Sequence, residues 1–225
     1  MELHTFCFSD LHRHGDVFWD YLALRKHHFV DQLGWHLSHD GRLEMDQYDH
    51  PLAVYSVVTH AGYAIAGARA LPCNAMWGGW SYMLRDAHLG KLDFIPAGLM
   101  NVCPETEETW ECTRLVLQDE IPSLQRALVL KLIVFGLCRE VSTRGGTSTI
   151  SLSPVALGRL LRTIGYDAFP SGEKYKGVED RRLYRPFQML CDPGVNEAEC
   201  SQYLSPLSGH GGQEDLLARL TMAAA

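Results

Sequence analysis

Between residues 110 and 152 the sequence writes a strand, a long helix and a second strand in immediate succession. WECTRLVL, residues 110–117, alternates its side chains with the two-residue period of a strand. Pro122 then opens a helix that runs to about Thr143 and is stopped by Gly145 and Gly146. Residues 147–152 read as a buried strand. A second set of elements surrounds this unit: a helix over 17–33, a hairpin of strands 53–59 and 63–71 turning through His60, Ala61 and Gly62, a helix over 154–163 ended by Gly165, and a strand over 183–190. Helix, hairpin, strand, helix, strand, helix, strand predicts an α/β sandwich in one domain, with helices on the faces of a mixed sheet. The domain is expected over residues 1–192. Residues 193–225, richer in Gly, Ser and Glu, are expected to form a partly flexible tail with one short helix over 214–222.

The first helix carries the least ordinary pattern. Asp16 is placed to cap it and Gly34 to end it. Phe18, Tyr21, Leu22, Arg25, Phe29 and Leu33 recur at three- and four-residue steps and share a face. An arginine inside that apolar stripe must either snorkel to solvent or find a buried partner. Further on, Asp46 and Asp49 precede the hairpin, Arg69 lies in its second strand, and Glu111 and Arg114 stand in the 110–117 strand. By the two-residue period Glu111 and Arg114 point to opposite faces. Arg25, Asp46, Asp49 and Arg69 have two readings from residue type alone, a structural ion-pair network or a functional cluster.

Composition excludes several classes. With 20 Lys and Arg against 27 Asp and Glu, the formal charge of −7 argues against a nucleic-acid binder, which needs a basic surplus to meet phosphates. The apolar run over 127–138 is broken by Lys131 and too short to cross a bilayer. Residues 1–16 carry charges and histidines where a signal peptide needs an apolar core. Seven widely spaced cysteines, without a C-x-x-C pair, give neither a zinc site nor a redox couple. The pairs His12/His14 and His27/His28 have no carboxylate or cysteine at ligand spacing, so no metal is expected. A reduced, soluble, cytoplasmic protein without membrane or nucleic-acid partners is the expectation.

In order along the chain, Arg25-x-x-x-Phe29-Val30-x-x-Leu33-Gly34-Trp35, Glu44-x-Asp46-x-Tyr48-Asp49, Gly67-x-Arg69-x-Leu71-Pro72, Met83-Leu84-Arg85-Asp86 and Trp110-Glu111-x-x-Arg114 resemble the acyl-homoserine-lactone synthases of bacterial quorum sensing. A weaker echo reaches Gly165-Tyr166. The resemblance implies an N-acetyltransferase-like (GNAT-like) fold and an acyltransferase. In that family a fatty acyl group passes from acyl carrier protein, or from acyl-CoA, to the amine of S-adenosylmethionine, and the product closes to a lactone with release of methylthioadenosine. S-adenosylmethionine is then a substrate, and no cofactor is implied. The positions that the resemblance carries over are Arg25, Phe29, Trp35, Asp46, Asp49, Arg69, Glu111 and Arg114.

Their chemistry suits that substrate. Phe29 and Trp35 offer aromatic faces to the adenine or the sulfonium. Asp46 and Asp49 bind an ammonium or brace arginines, and Arg25, Arg69 or Arg114 holds a carboxylate in a bidentate grip. Glu111 is the candidate base for the amine, with Arg69 and Arg114 completing the catalytic set. The acyl chain is expected in a cleft between strands 110–117 and 147–152, lined by Leu115, Thr147, Thr149 and Ile150. Residues 159–185 hold seven basic and four acidic side chains. Within them Lys174, Lys176, Arg181 and Arg182 are the candidate surface for an acidic carrier protein. Residues 118–127 lack the Gly-rich turn that cradles a coenzyme A pyrophosphate, which favours the carrier protein. Competing readings are an N-acyltransferase of the same fold acting on another amino-acid amine without lactonisation, and a catalytically inactive regulatory domain.

Overall fold

The computed structural model describes residues 1–208, so the helix expected over 214–222 lies outside the described residues. The chain opens with β1 (Glu2–Cys7), a strand without a clear signal in the sequence pattern. Helix α1 follows over Val17–Arg25. The hairpin strands are β2 (Val54–His60) and β3 (Tyr63–Pro72). After α2 (Met83–His88) come β4 (Thr109–Leu117), α3 (Ser123–Thr143), β5 (Ser148–Pro154) and α4 (Val155–Thr163). Two short strands, β6 (Ala168–Pro170) and β7 (Tyr175–Lys176), precede β8 (Leu183–Leu190) and the short α5 (Glu197–Cys200). The expected single-domain mixed sheet with helices on both faces is the architecture observed.

The sheet runs β1-β2-β3-β4-β5-β8-β6, with β7 also on β8. Every pairing is antiparallel except β4 with β5, the pair that α3 connects. That parallel contact is short. It joins Thr109–Glu111 to Ser148–Ile150 and then stops, so the two strands part beyond Glu111. On one face, Ala66, Ala68 and Ala70 of β3 lie against the apolar side of α3, where small side chains let the helix approach. On the other face, α1 and the segment after it pack Phe18, Tyr21 and Phe29 against Tyr55 and Leu71. No described helix is long and apolar enough to cross a membrane.

The first helix departs from the sequence reading in two ways. The helix predicted over 17–33 is α-helical only to Arg25, and Lys26–Gln32 widens into a π-helix. Gly34, at φ +71°, closes it as expected, with the Trp35 N–H reaching back to the Phe29 carbonyl at 2.9 Å. Asp16 occupies the N-cap position but makes no side-chain cap bond. Residues 193–208, the described part of the tail, pack against the domain. Ser205 N–H donates to the Leu3 carbonyl at 2.8 Å, Ser208 Oγ accepts from Thr5 N–H, and Cys200 is fully buried. These contacts cover the outer edge of β1.

Gly67 of β3 lies directly under α1, where a Cβ would meet the Tyr21 ring at 2.6 Å. Gly67→Ala must therefore displace a buried tyrosine. We expect it to lower stability by about 1–3 kcal/mol, which for a domain of this size is a fall of several degrees in Tm by thermal unfolding. An unchanged Tm would show that the ring has room to move.

Candidate functional site

Arg25, at the last turn of α1, is fully buried. It does not snorkel. Its Nε donates to Glu44 at 2.5 Å, and its two terminal nitrogens grip Asp49 at 2.8 and 2.9 Å. Arg69, also fully buried, reaches Asp46 at 2.6 Å and Asp49 at 2.8 Å through Nη1, while its Nε donates to Thr113 Oγ1. Arg114 donates to Asp46 at 2.7 Å and to Glu44 at 3.2 Å. Three guanidiniums and three carboxylates thus share one buried cluster with no net charge. The network reading of these residues is correct in geometry, and it gains Glu44 and Arg114.

Burial alone would push these carboxyls up. Arg25 and Arg69 override it and hold Asp49 well below the usual carboxylate range, while Arg69 and Arg114 hold Asp46 down. In the same balance Asp49 and Glu44 keep Arg25 more firmly protonated than a free arginine, against the pull of burial. Arg25, Asp49 and Arg69 are paired with one another and are not among the residues that line the cleft described below, and the cluster reaches Arg114 through Glu44 and Asp46.

Arg114 owes its position to the backbone. Its φ of +55° is left-handed, rare for a residue with a side chain. The β3–β4 register slips here, from Arg69 opposite Thr113 to Gly67 opposite Val116, so the strand carries a bulge. The buried Tyr21 hydroxyl holds the bulge by donating to the Arg114 carbonyl at 2.9 Å. The bulge overturns the simple alternation: Arg114 turns to the side of Arg69, and the two share Asp46.

The cleft opens where β4 and β5 part. It has a volume of about 380 Å³ and is lined by Phe29, Trp35, Arg114, Leu115, Leu152 and Tyr184 among others. Trp35 stacks on Phe29 with ring centres 5.0 Å apart, and the Arg114 guanidinium lies over the other partner, Phe29, at 5.6 Å. Trp35 Nε1 donates to Asp180 at 3.2 Å, joining the end of the first helix to the 177–182 loop on the opposite rim. Lys174, Lys176, Arg181 and Arg182 are exposed beside that rim, and Arg182 lines the cleft itself.

Glu111 is almost completely buried. Its two oxygens accept the Met83 and Leu84 N–H groups at 2.8 Å each, capping α2 from a neighbouring strand. Burial raises its pKa, the two N–H bonds oppose the rise, and the balance stands at about 7. The sequence showed no charge partner on its face; the partners are backbone N–H groups.

The four expected acyl-chain residues are not brought together. Leu115 and Thr149 line a second, inner cavity between the sheet and α3, with Ile133 and Leu137 behind. Ile150, one residue on, points to the opposite face and packs among Cys73, Tyr82 and Leu84. Thr147 precedes β5, is exposed, and donates its N–H to the Glu108 carbonyl. Cys112 is half-buried, and desolvation raises its thiol well above the ordinary range, so no thiolate is at hand there. No group of three or more potential metal ligands gathers among the described residues. Two supporting residues were not assigned from sequence. Glu44 stood in the quoted motif, two positions before Asp46, and Tyr21 was visible only as part of an apolar stripe.

No family model matches the chain. An acyl-homoserine-lactone synthase of Acinetobacter nosocomialis is 28% identical to it over 151 residues, 64% of this chain and 76% of that one. The chain resembles the acyl-homoserine-lactone synthases. TofI, solved in a ternary complex with an inhibitor and MTA, superposes with a TM-score of 0.66 at 22% identity, covering 88% of this chain and 96% of its own. BjaI, a CoA-dependent acyl-homoserine lactone synthase solved with SAM and isopentyl-CoA, superposes with a TM-score of 0.69 at 17% identity, covering 98% and 99%. The likeness to these synthases therefore holds in fold across nearly the whole described chain.

Asp49→Asn leaves Arg25 and Arg69 short of a buried counter-charge. We expect a loss of about 3–5 kcal/mol near pH 7. Asp46 and Asp49 are depressed in the folded state, so their contribution is full above the unfolded value of 3.8 and fades as pH falls through the folded values. Denaturant unfolding from pH 7 to pH 2 should show the gap between wild type and Asp49→Asn narrowing below about pH 4. A gap independent of pH would mean that the cluster's charge is not what stabilises it.

Proposed function

We propose that the protein is an acyl-homoserine-lactone synthase, making a quorum-sensing signal from an acyl thioester and S-adenosylmethionine. The observation that carries the reading is convergence. Of the residues that match the family, Phe29, Trp35 and Arg114 line one cleft, and Arg25, Asp46, Asp49 and Arg69, with Glu44, form the buried ion cluster that holds Arg114. The sequence relative in Acinetobacter nosocomialis supports it.

Phe29 and Trp35 receive the sulfonium and adenosyl part of the substrate, since ring faces attract cations. Arg114, which keeps 8% of its side chain exposed, holds the methionyl carboxylate. Arg25, Arg69, Asp46 and Asp49 act as positioning residues that fix it. Glu111, as a carboxylate, takes a proton from the ammonium through water; its oxygens retain lone pairs beyond the two N–H bonds. The free amine attacks the thioester carbonyl, the tetrahedral oxyanion is met by backbone N–H groups where β4 leaves β5, and the thiol departs. The carboxylate oxygen then attacks the γ-carbon and displaces neutral methylthioadenosine from the sulfonium, closing the lactone. No prosthetic group takes part, and S-adenosylmethionine is consumed. The proposed donor is an acyl carrier protein docked on Lys174, Lys176, Arg181 and Arg182; Asp119 and Glu120, in the turn after β4, disfavour a coenzyme A pyrophosphate there. The seven free cysteines suit a reducing cytoplasm.

Purified protein given S-adenosylmethionine and acyl donors should release methylthioadenosine together with lactone. Acyl transfer without release would indicate a plain N-acyltransferase, and silence with every donor would indicate an inactive domain. Glu111→Gln should lower the rate by about 10²–10⁴-fold. The wild-type kcat/KM should fall as pH drops through about 7, where Glu111 takes up its proton. A folded Glu111→Gln enzyme retaining more than about a third of the rate, well inside that range, removes Glu111 as the base.

Charge reversal at Arg181 and Arg182 should raise KM for carrier-protein donors roughly tenfold at low salt, with kcat nearly unchanged, because rim charges act on encounter. A KM that stays at the wild-type value across a salt series places the docking surface elsewhere.

A further inference from the structure

Helix α2 begins without the usual side-chain cap. Its N-cap residue, Tyr82, makes no cap bond and sends its hydroxyl to the Pro104 carbonyl at 2.7 Å. Two carboxylates divide the work instead. Glu111 takes the Met83 and Leu84 N–H groups from β4. Asp86, fully buried and one turn inside the helix, reaches back past the cap to Ser81. Its Oδ2 accepts the Ser81 N–H at 2.9 Å and its Oδ1 accepts the Ser81 hydroxyl at 3.0 Å. The Tyr48 hydroxyl donates to Oδ2 at 3.1 Å, and Lys91 Nζ donates to Oδ1 at 2.9 Å. These donors fill the lone pairs of the Asp86 carboxylate, whereas Glu111 keeps lone pairs beyond its two N–H bonds. The Arg69 guanidinium lies over the Tyr48 ring at 5.7 Å, so Asp86 is also joined to the ion cluster.

From this geometry we propose that Asp86 is a positioning residue for Glu111: by fixing Ser81 it holds the turn whose first two N–H groups seat the Glu111 carboxylate. The inference rests on the reading of Glu111 as base given above and adds a residue that acts through it. Asp86 has two opposed effects on the Glu111 proton. Through the turn it keeps two N–H bonds on the carboxylate, and these favour the charged form. As a second negative charge nearby it favours the protonated form. Arg69 of β3 also acts on Glu111, with the sign opposite to that of Asp86. The Tyr48 and Tyr82 hydroxyls and the Cys73, Cys103 and Cys112 thiols share these surroundings. Burial pushes each of them upward, so they stay neutral near pH 7.

Carbon-13 NMR of the full-length protein, labelled at its glutamate carboxyls, follows the Glu111 titration without turnover. The Glu111 signal is the one absent from Glu111→Gln. The pH profile of kcat/KM with S-adenosylmethionine and acyl donors is recorded in parallel. In wild type the signal should titrate at about 7. Ser81→Gly removes the hydroxyl bond and frees the backbone while leaving the Asp86 charge, so Glu111 should titrate higher. Asp86→Asn keeps an acceptor for the Ser81 N–H, and Lys91, a third exposed, can turn to solvent. The charge alone is lost, so Glu111 should titrate lower. Each shift is expected to be about half a pH unit or more, and the acid limb of kcat/KM should move with it. A merely structural role lowers Tm in both variants and moves neither titration. Thermal unfolding shows whether each variant is folded, and either one alone suffices. A folded variant whose Glu111 titrates at the wild-type value, or moves the other way, overturns the positioning role; lactone made by wild type then leaves the synthase reading standing. Shifts in the expected directions, in a protein that yields neither lactone nor methylthioadenosine with any donor, uphold the seating of Glu111 and overturn the synthase reading.

Discussion

The buried cluster of Arg25, Arg69 and Arg114 with Glu44, Asp46 and Asp49 is the interaction on which the rest of the molecule depends. It ties together the end of α1, the 44–49 segment, β3 and β4, four pieces that share no backbone ladder except β3 with β4. Taking six charges out of water carries a desolvation penalty of several kcal/mol for each ion, and the penalty is met only because every charge has opposite partners in hydrogen-bonding geometry. Such a cluster adds little net stability over an apolar one of equal shape. What it adds here is direction, because a guanidinium gripped by two carboxylates cannot change its aim.

That direction matters because the backbone beside it is irregular. The bulge at Arg114 and the parting of β4 from β5 place polar backbone at the edge of a water-accessible cleft. Left alone, such a region would close by pairing or by collapse of its apolar walls. Tyr21 fixes one side through the Arg114 carbonyl, and Glu111 fixes another by taking the first N–H groups of α2. The carboxylate that caps α2 is thereby buried and kept near neutral titration, so one residue joins a structural duty to a chemical one.

Much of this was legible in the sequence. The strands over 110–117 and 183–190 and the helix after Pro122 have strong local patterns, because each buries one side and each is bounded by proline or glycine. Charged residues in apolar surroundings, Arg25 and Arg69 above all, announced a buried network. What failed to show were features set by tertiary contact. The first strand, with LHTF buried in its middle, alternates poorly because both its faces are covered. The bulge at Arg114 breaks the period that the reading of opposite faces relied on, and a non-glycine residue gives no warning of a left-handed φ. Ile150 was grouped with Thr149 as its neighbour in sequence, although a strand sends adjacent side chains to opposite layers, and Thr147 lies just before the strand begins.

The π-helical turn over Lys26–Gln32 gives the aromatic wall a fragility of its own kind. A π-turn is an α-helix that has accepted one surplus residue. Excision of a single residue within 30–32 would let the helix regain its ordinary pitch and shorten the chain between Phe29 and Trp35 by one residue. Phe29 lies at the middle of that segment and Trp35 three residues beyond its end, so their stacking depends on the number of residues between them. Between these two rings the length of the chain is under tighter constraint than its composition: a substitution at 30–34 leaves the spacing intact, whereas a one-residue deletion there alters the spacing on which the stack and the Trp35–Asp180 bond depend.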